Sequence, residues 1–143
     1  MLVKKGILIN ADIKKVWKTF CQLEKWPKWG AYITKTKWLS NDKWQVGSVF
    51  VQTIKGFMFA KGYNSKCRIL KINPYKVVKW RGTRKLVYGT HSLKFQKIGT
   101  KTKISNIEYF RGPLAPIIFP FVKNRFESNF EQFNKGLKKE AEK

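Results

Sequence analysis

The chain has 143 residues, 43% of them apolar, with eleven Phe, six Trp and five Tyr; that is enough apolar mass for one packed core and excludes a disordered chain. The formal net charge is +23, and the 15 Lys and Arg between Lys43 and Ile107 meet no Asp or Glu, a field that attracts anionic partners such as nucleic acid or acidic membrane. Two cysteines without ligand spacing and a single histidine, His91, argue against a zinc site, and no cofactor is implied.

Of the 31 basic residues, 26 are Lys and five are Arg. Base-edge and bidentate phosphate recognition favour Arg, so a compositional bias explains the charge better than a dedicated nucleic-acid surface. Cys21 and Cys67 read as reduced thiols, although the sequence alone leaves a disulfide between them open. The longest apolar run, Pro113 to Val122, is half a membrane span and holds three prolines. The expectation is one domain over residues 1–143, soluble and cytoplasmic.

Val3 to Ile9 is a short β-type run, after which Asn10 or Asp12 can cap a helix with Ile13, Val16, Trp17 and Phe20 on its apolar side. That helix ends near Cys21 to Leu23. Pro27, in the segment Glu24 to Gly30, allows only a first helical turn or a loop, and Trp26 and Trp29 can plug the end of a sheet. Tyr32 to Trp38 alternates as a strand, and Val46 to Ile54 puts Phe50, Gln52 and Ile54 on one face. Gly56 marks a hairpin into a long strand from Phe59 to Ile72, where Tyr63, Ser65, Cys67 and Ile69 share a face and the alternation fails at Leu70 to Ile72, the mark of a bulge. Lys76 to Gly82 follows, with Val78 and Trp80 together.

Val87 to Gln96 presents Gly89, His91, Leu93 and Phe95 on one side, and Thr102 to Arg111 presents Ile104, Asn106, Glu108 and Phe110. A turn at Gly99-Thr100 places His91 opposite Glu108, Leu93 opposite Asn106 and Phe95 opposite Ile104. Six strands, or seven with the N-terminal run, make an antiparallel meander. Val122, Phe126, Phe130, Phe133, Leu137 and Ala141 then recur at helical spacing. A helix from Phe121 to Ala141, about 30 Å long, needs the apolar face of that sheet to lie on. Pro113, Pro116 and Pro120 make the preceding stretch a loop or a helix start kinked at Pro120.

Ile9-Asn10-Ala11 leading into Val16-Trp17, then Trp26-Pro27-Lys28-Trp29, Asn73-Pro74, Val78 to Gly82, His91 within a strand, Gly99-Thr100, Glu108 to Gly112 and the closing amphipathic helix come in one order over the whole chain. In that order they resemble the helix-grip superfamily of START lipid-transfer domains, Bet v 1-like proteins and the polyketide cyclase/dehydrase group. The resemblance implies an α+β helix-grip fold: a strand, two short helices, a curved antiparallel sheet and a long C-terminal helix, with a cavity between sheet and helix. Such a fold implies a pocket and no particular reaction.

Glu108 is the only acid between Asp42 and Glu127 and shares an apolar face with His91. A buried carboxylate must be paired or neutralised, so the two form either a satisfied polar pair or a site that orients a ligand. Trp29, Tyr32, Phe50, Tyr63, Trp80, Phe126 and Phe130, with His91, Asn106 and Glu108, are the candidate ligand-binding residues. The aromatics either line a cavity of about 300 to 1,000 Å³ or fill it. The leading expectation is a carrier or binding protein for a small hydrophobic ligand such as a lipid, isoprenoid or polyketide-like molecule. A cyclase or dehydratase using His91 and Glu108 as acid and base is the enzymatic alternative. A third is nucleic-acid or ribosome association through Lys66, Arg68, Lys79, Arg81, Lys94 and Lys103 on the outer sheet face. Ile117, Ile118 and Phe119, flanked by Arg111, Lys123 and Arg125, either touch an anionic membrane or cap the cavity.

Overall fold

Among the described residues, alternation of apolar and polar residues at period two gives seven strands, each with one face turned toward the interior. They are β1 (Leu2–Ile9), β2 (Ile33–Trp38), β3 (Val49–Ile54), β4 (Tyr63–Asn73), β5 (Val77–Gly82), β6 (Tyr88–Ile98) and β7 (Lys101–Arg111). The described helices are α1 (Ile13–Phe20), α2 (Trp26–Trp29) and α3 (Ala115–Ala141), with a 3-10 turn at Leu23–Lys25. The computed structural model describes residues 1–56 and 61–143. The strand start expected at Phe59 lies outside the described residues.

All seven strands form one antiparallel sheet in the order β1-β7-β6-β5-β4-β3-β2. A sheet curled about a long helix is the helix-grip architecture. The expected register holds between β6 and β7, where His91 pairs with Glu108 and Leu93 with Asn106. Gly99 fixes it: the hairpin turn needs its φ of +60°, a conformation glycine adopts without steric cost. The bulge expected within Leu70 to Ile72 lies at the start of that stretch, as a register shift between Ile69 and Lys71.

The long helix is longer than the sequence suggests. It begins at Ala115, six residues before Phe121, and its 27 residues make a rod of about 40 Å. Two of the three prolines lie inside it. Pro116 sits in the first turn, where backbone N–H groups have no intrahelical partner in any case. Pro120 forfeits one bond near the helix start, while Ala115 becomes fully buried and Phe119 packs on Phe110 at 5.3 Å.

The two halves of α3 meet different surroundings. The C-terminal half is clamped: Asn10 N–H donates to Glu142 Oε1 at 2.7 Å, and Lys138 Nζ donates to the Leu8 carbonyl at 3.2 Å. Leu137 and Ala141 are fully buried. Gly136 touches α2 so closely that a Cβ there would stand 2.0 Å from the Trp29 carbonyl oxygen. Beneath this half lies an aromatic core in which Trp26 contacts Phe20, Phe50, Trp80 and Phe133 at 5.2 to 6.2 Å. The Trp26 indole N–H is satisfied by the Phe20 carbonyl at 2.7 Å. The N-terminal half of α3 spans an open space instead. Both cysteines are free thiols.

Candidate ligand site

A cavity of about 290 Å³ lies between the N-terminal half of α3 and the inner faces of β3 to β7. Phe126 and Phe130 line it from the helix, Ile54 and Trp80 from the sheet, and Phe110 from β7. These apolar walls surround a small polar group made by His91, Glu108, Tyr32 and Tyr63.

The sequence candidates separate into two sets. Tyr32, Tyr63, Trp80, His91, Glu108, Phe126 and Phe130 line the cavity. Trp29 and Phe50 do not: Trp29 packs on Phe133 at 5.0 Å, and the fully buried Phe50 packs between Trp26 and Trp38. They are core. Asn106 is fully buried behind His91 and supports it from outside the cavity wall. The apolar stripe thus fills one end of the space under the helix and lines the other.

His91 is held on every side. Its ring stacks on Trp80 at 4.4 Å and 25°, and Phe130 covers it at 4.8 Å. Its Nε2 is hydrogen-bonded to Asn106 Oδ1. Asn106 Nδ2 donates to Asn134 Oδ1 at 3.2 Å, and Asn134 Nδ2 donates to the Lys5 carbonyl at 3.3 Å. This chain runs in one direction. Because Asn106 presents its oxygen, His91 must donate from Nε2, which leaves Nδ1 as an acceptor facing Glu108. Burial pulls the imidazole pKa down to about 4, against a smaller upward pull from Asn106. The ring is neutral at pH 7.

Glu108 Oε2 stands 3.9 Å from His91 Nδ1, and its side chain is 13% exposed. Desolvation pushes its pKa up to about 8, so the carboxyl is protonated at neutral pH. Two charged groups at this distance would be an ion pair, but burial keeps both neutral, and 3.9 Å is too long for a hydrogen bond. Its proton is free to be donated into the cavity. Gly89 on β6 makes the slot for it: a Cβ at residue 89 would lie 1.9 Å from Glu108 Oε1. Burial also raises the Tyr32 and Tyr63 phenol pKa values, so both remain neutral O–H groups. Cys67 is buried with its pKa pushed up to about 12, and its thiol is no nucleophile.

Four contributors, Asn134, Gly89, Gln52 and Ser65, were not singled out from the sequence. Asn134 is a polar residue in the buried stripe between Phe133 and Leu137, and that misfit is the signal of a buried partner. Gly89 shares the face of His91, but its slot depends on where Glu108 lies. Gln52 and Ser65, which face the cavity beside Cys67, lie on the predicted inner faces.

At the mouth, Arg84 lies over the Tyr63 ring at 5.4 Å. Ile118 and Phe119 border the cavity, whereas Ile117 points away, 65% exposed. On the sheet's other face, Lys66, Arg68, Arg81, Lys94 and Lys103 are exposed and Lys79 is half-buried. Among the described residues no group of three or more His, Cys, Asp or Glu can hold a metal ion, and no helix is long and apolar enough to cross a membrane.

A curled sheet grips a long helix over an apolar cavity that holds a small polar group, which is the helix-grip fold. The chain belongs to the family described as polyketide cyclase / dehydrase and lipid transport, whose model matches residues 2–142. Among solved structures it is similar to TTHA0849 from Thermus thermophilus, at 11% identity and a TM-score of 0.81, covering 99% of this chain and 97% of that one. The Zhui aromatase/cyclase from Streptomyces sp. R1128 shares 13% identity with a TM-score of 0.80 over 99% and 93% of the two chains. A START superfamily protein from Mycobacterium smegmatis shares 15% identity with a TM-score of 0.79 over 99% and 97%. A comparison with curated proteins finds no match.

Proposed function

We propose that the protein binds one small, mostly apolar molecule carrying an oxygen acceptor, such as an oxygenated lipid, isoprenoid or polyketide-like compound, in the cavity under α3. The observation that carries this reading is the place of Glu108: a carboxyl on the cavity wall, 13% exposed and 3.9 Å from His91 Nδ1, which burial keeps protonated at neutral pH. A buried donor costs free energy until something accepts from it. A ligand carbonyl or hydroxyl is the partner that the apolar walls leave room for, and Tyr32 and Tyr63 offer further O–H groups beside it.

A second reading, a cyclase or dehydratase, draws support from the family description and from the aromatase/cyclase among the similar structures. In that reading Glu108 is the acid and His91 Nδ1 the base. Native mass spectrometry of the purified protein, followed by solvent extraction, tests both. The expected result is one apolar, oxygen-bearing molecule per chain, and a protein that stays empty in extracts of its own cells contradicts the binding reading. Incubating the recovered molecule with fresh protein separates the two: unchanged mass and spectrum mean a carrier, and conversion means an enzyme.

A further inference from the structure

The first turns of α3 expose an apolar face that no described residue covers. Leu114, Ile117, Ile118 and Phe121 follow at steps of three, one and three, the spacing of one helix face, and they are 38, 65, 37 and 81% exposed. Leu86, 61% exposed, stands beside them, its carbonyl accepting the Leu114 N–H at 3.1 Å. Gly112 makes that junction possible. Its φ is +112°, and a Cβ there would stand 2.3 Å from the Leu86 oxygen, so the loop before β6 and the start of α3 are held together as one surface.

This surface has two further properties. It adjoins the cavity mouth, because Ile118 and its neighbours Phe119 and Val122 line the cavity. It is also bordered by exposed cations, Arg84, Lys85, Arg111 and Lys123, with Glu127 beside Lys123 at 3.9 Å. An exposed Phe and Ile among cations matches the boundary of an anionic bilayer, where the rings and alkyl chains leave water and the cations meet headgroups. The sequence pattern points to Ile117, Ile118 and Phe119. The structure turns Phe119 inward onto Phe110 and exposes Phe121 instead.

We propose that this end of the molecule docks on an anionic lipid surface, with Leu86, Ile117 and Phe121 entering the headgroup boundary and the cavity mouth facing the bilayer. A membrane-soluble ligand then enters and leaves without crossing water. Docking is a property of the exposed surface, so its test needs no ligand, and an empty cavity leaves its result standing.

The test is co-sedimentation of the full chain with vesicles of phosphatidylcholine alone or with phosphatidylserine at about 30%. The protein is expected to sediment with the anionic vesicles. The double variant Ile117→Ser, Phe121→Ser keeps the net charge and every buried side chain, and its affinity is expected to fall at least about tenfold. No sedimentation with anionic vesicles overturns the proposal. So does equal sedimentation of the variant, which would assign the binding to net charge alone. Gel filtration showing a wild-type dimer that the double variant converts to monomer also overturns it, because a second copy would then cover the face.

Discussion

Glu108→Gln is expected to stabilise the protein at pH 8 and above by several kcal/mol and to leave its stability at pH 4 unchanged. The folded carboxyl titrates at about 8, against an ordinary value of 4.5. Below pH 4.5 the group is protonated in both folded and unfolded chains and costs nothing extra. From there to pH 8 the unfolded chain gains by ionising while the folded chain cannot, and stability falls by about 1.4 kcal/mol per pH unit. His91 works in the opposite direction. Its folded pKa is about 4, against 6.5, so its contribution is complete above pH 6.5 and is lost as pH falls toward 4. The two slopes cancel between pH 4.5 and 6.5, and only the Glu108 loss operates from pH 6.5 to 8. In the Gln variant that loss is gone, and the His91 contribution remains. Urea denaturation across pH 4 to 9 checks this: the two curves should diverge from pH 4.5 upward, and parallel curves would mean that Glu108 is not held neutral.

Gly136→Ala is expected to destabilise the fold by about 2 to 4 kcal/mol, although alanine in a helix interior ordinarily gains about 1 kcal/mol over glycine. The added Cβ would stand 2.0 Å from the Trp29 carbonyl oxygen and 2.9 Å from its carbon. Both are backbone atoms and no rotamer change relieves the clash. Trp29 itself is held: its ring lies 5.0 Å from Phe133, and the next residue's N–H donates to the Trp26 carbonyl at 2.6 Å. The helix must therefore move away from α2 and loosen Phe133 and Leu137 in the core. A lower urea midpoint is the expected readout. A midpoint at or above wild type would contradict the close approach of α2 and α3, and with it the clamp that leaves only the N-terminal half of α3 free to roof a cavity.

Much of the fold is legible because local rules fix it. The alternation around His91 and Glu108, with a glycine turn at Gly99, determines the β6–β7 register to the residue. The spacing from Val122 to Ala141 determines which face of α3 is buried, and the failed alternation over Leu70 to Ile72 brackets the bulge to within a residue or two of the register shift between Ile69 and Lys71. What was not legible depends on distance in space. Whether an inward aromatic fills or lines the interior is decided by how α1 and α2 plug one end of the sheet. Trp29 and Phe50 therefore went to the core, while Trp80 serves both the core and the cavity. The prolines left the helix start open between a loop and a helix start kinked at Pro120, and the burial of Ala115 and the Phe119–Phe110 contact that favour the helix exist only in the folded chain. In the site, the pairing of His91 with Glu108 was readable from the register. The chain through Asn106 to Asn134 was not, because no sequence rule says which strand residue a helix side chain meets.

In the proposed complex a neutral Glu108 donates to a ligand oxygen inside the apolar cavity. Isothermal titration with a matched pair of probes, 2-acetonaphthone and 2-ethylnaphthalene, tests it most directly, because the two differ chiefly in a carbonyl. At pH 6.5 the ketone is expected to bind about tenfold more tightly than the hydrocarbon. That preference should disappear in Glu108→Ala and fade as pH rises through 8, where the carboxyl loses its proton. Equal affinities for the two probes in the wild-type protein, or a preference that survives Glu108→Ala, would contradict the assignment.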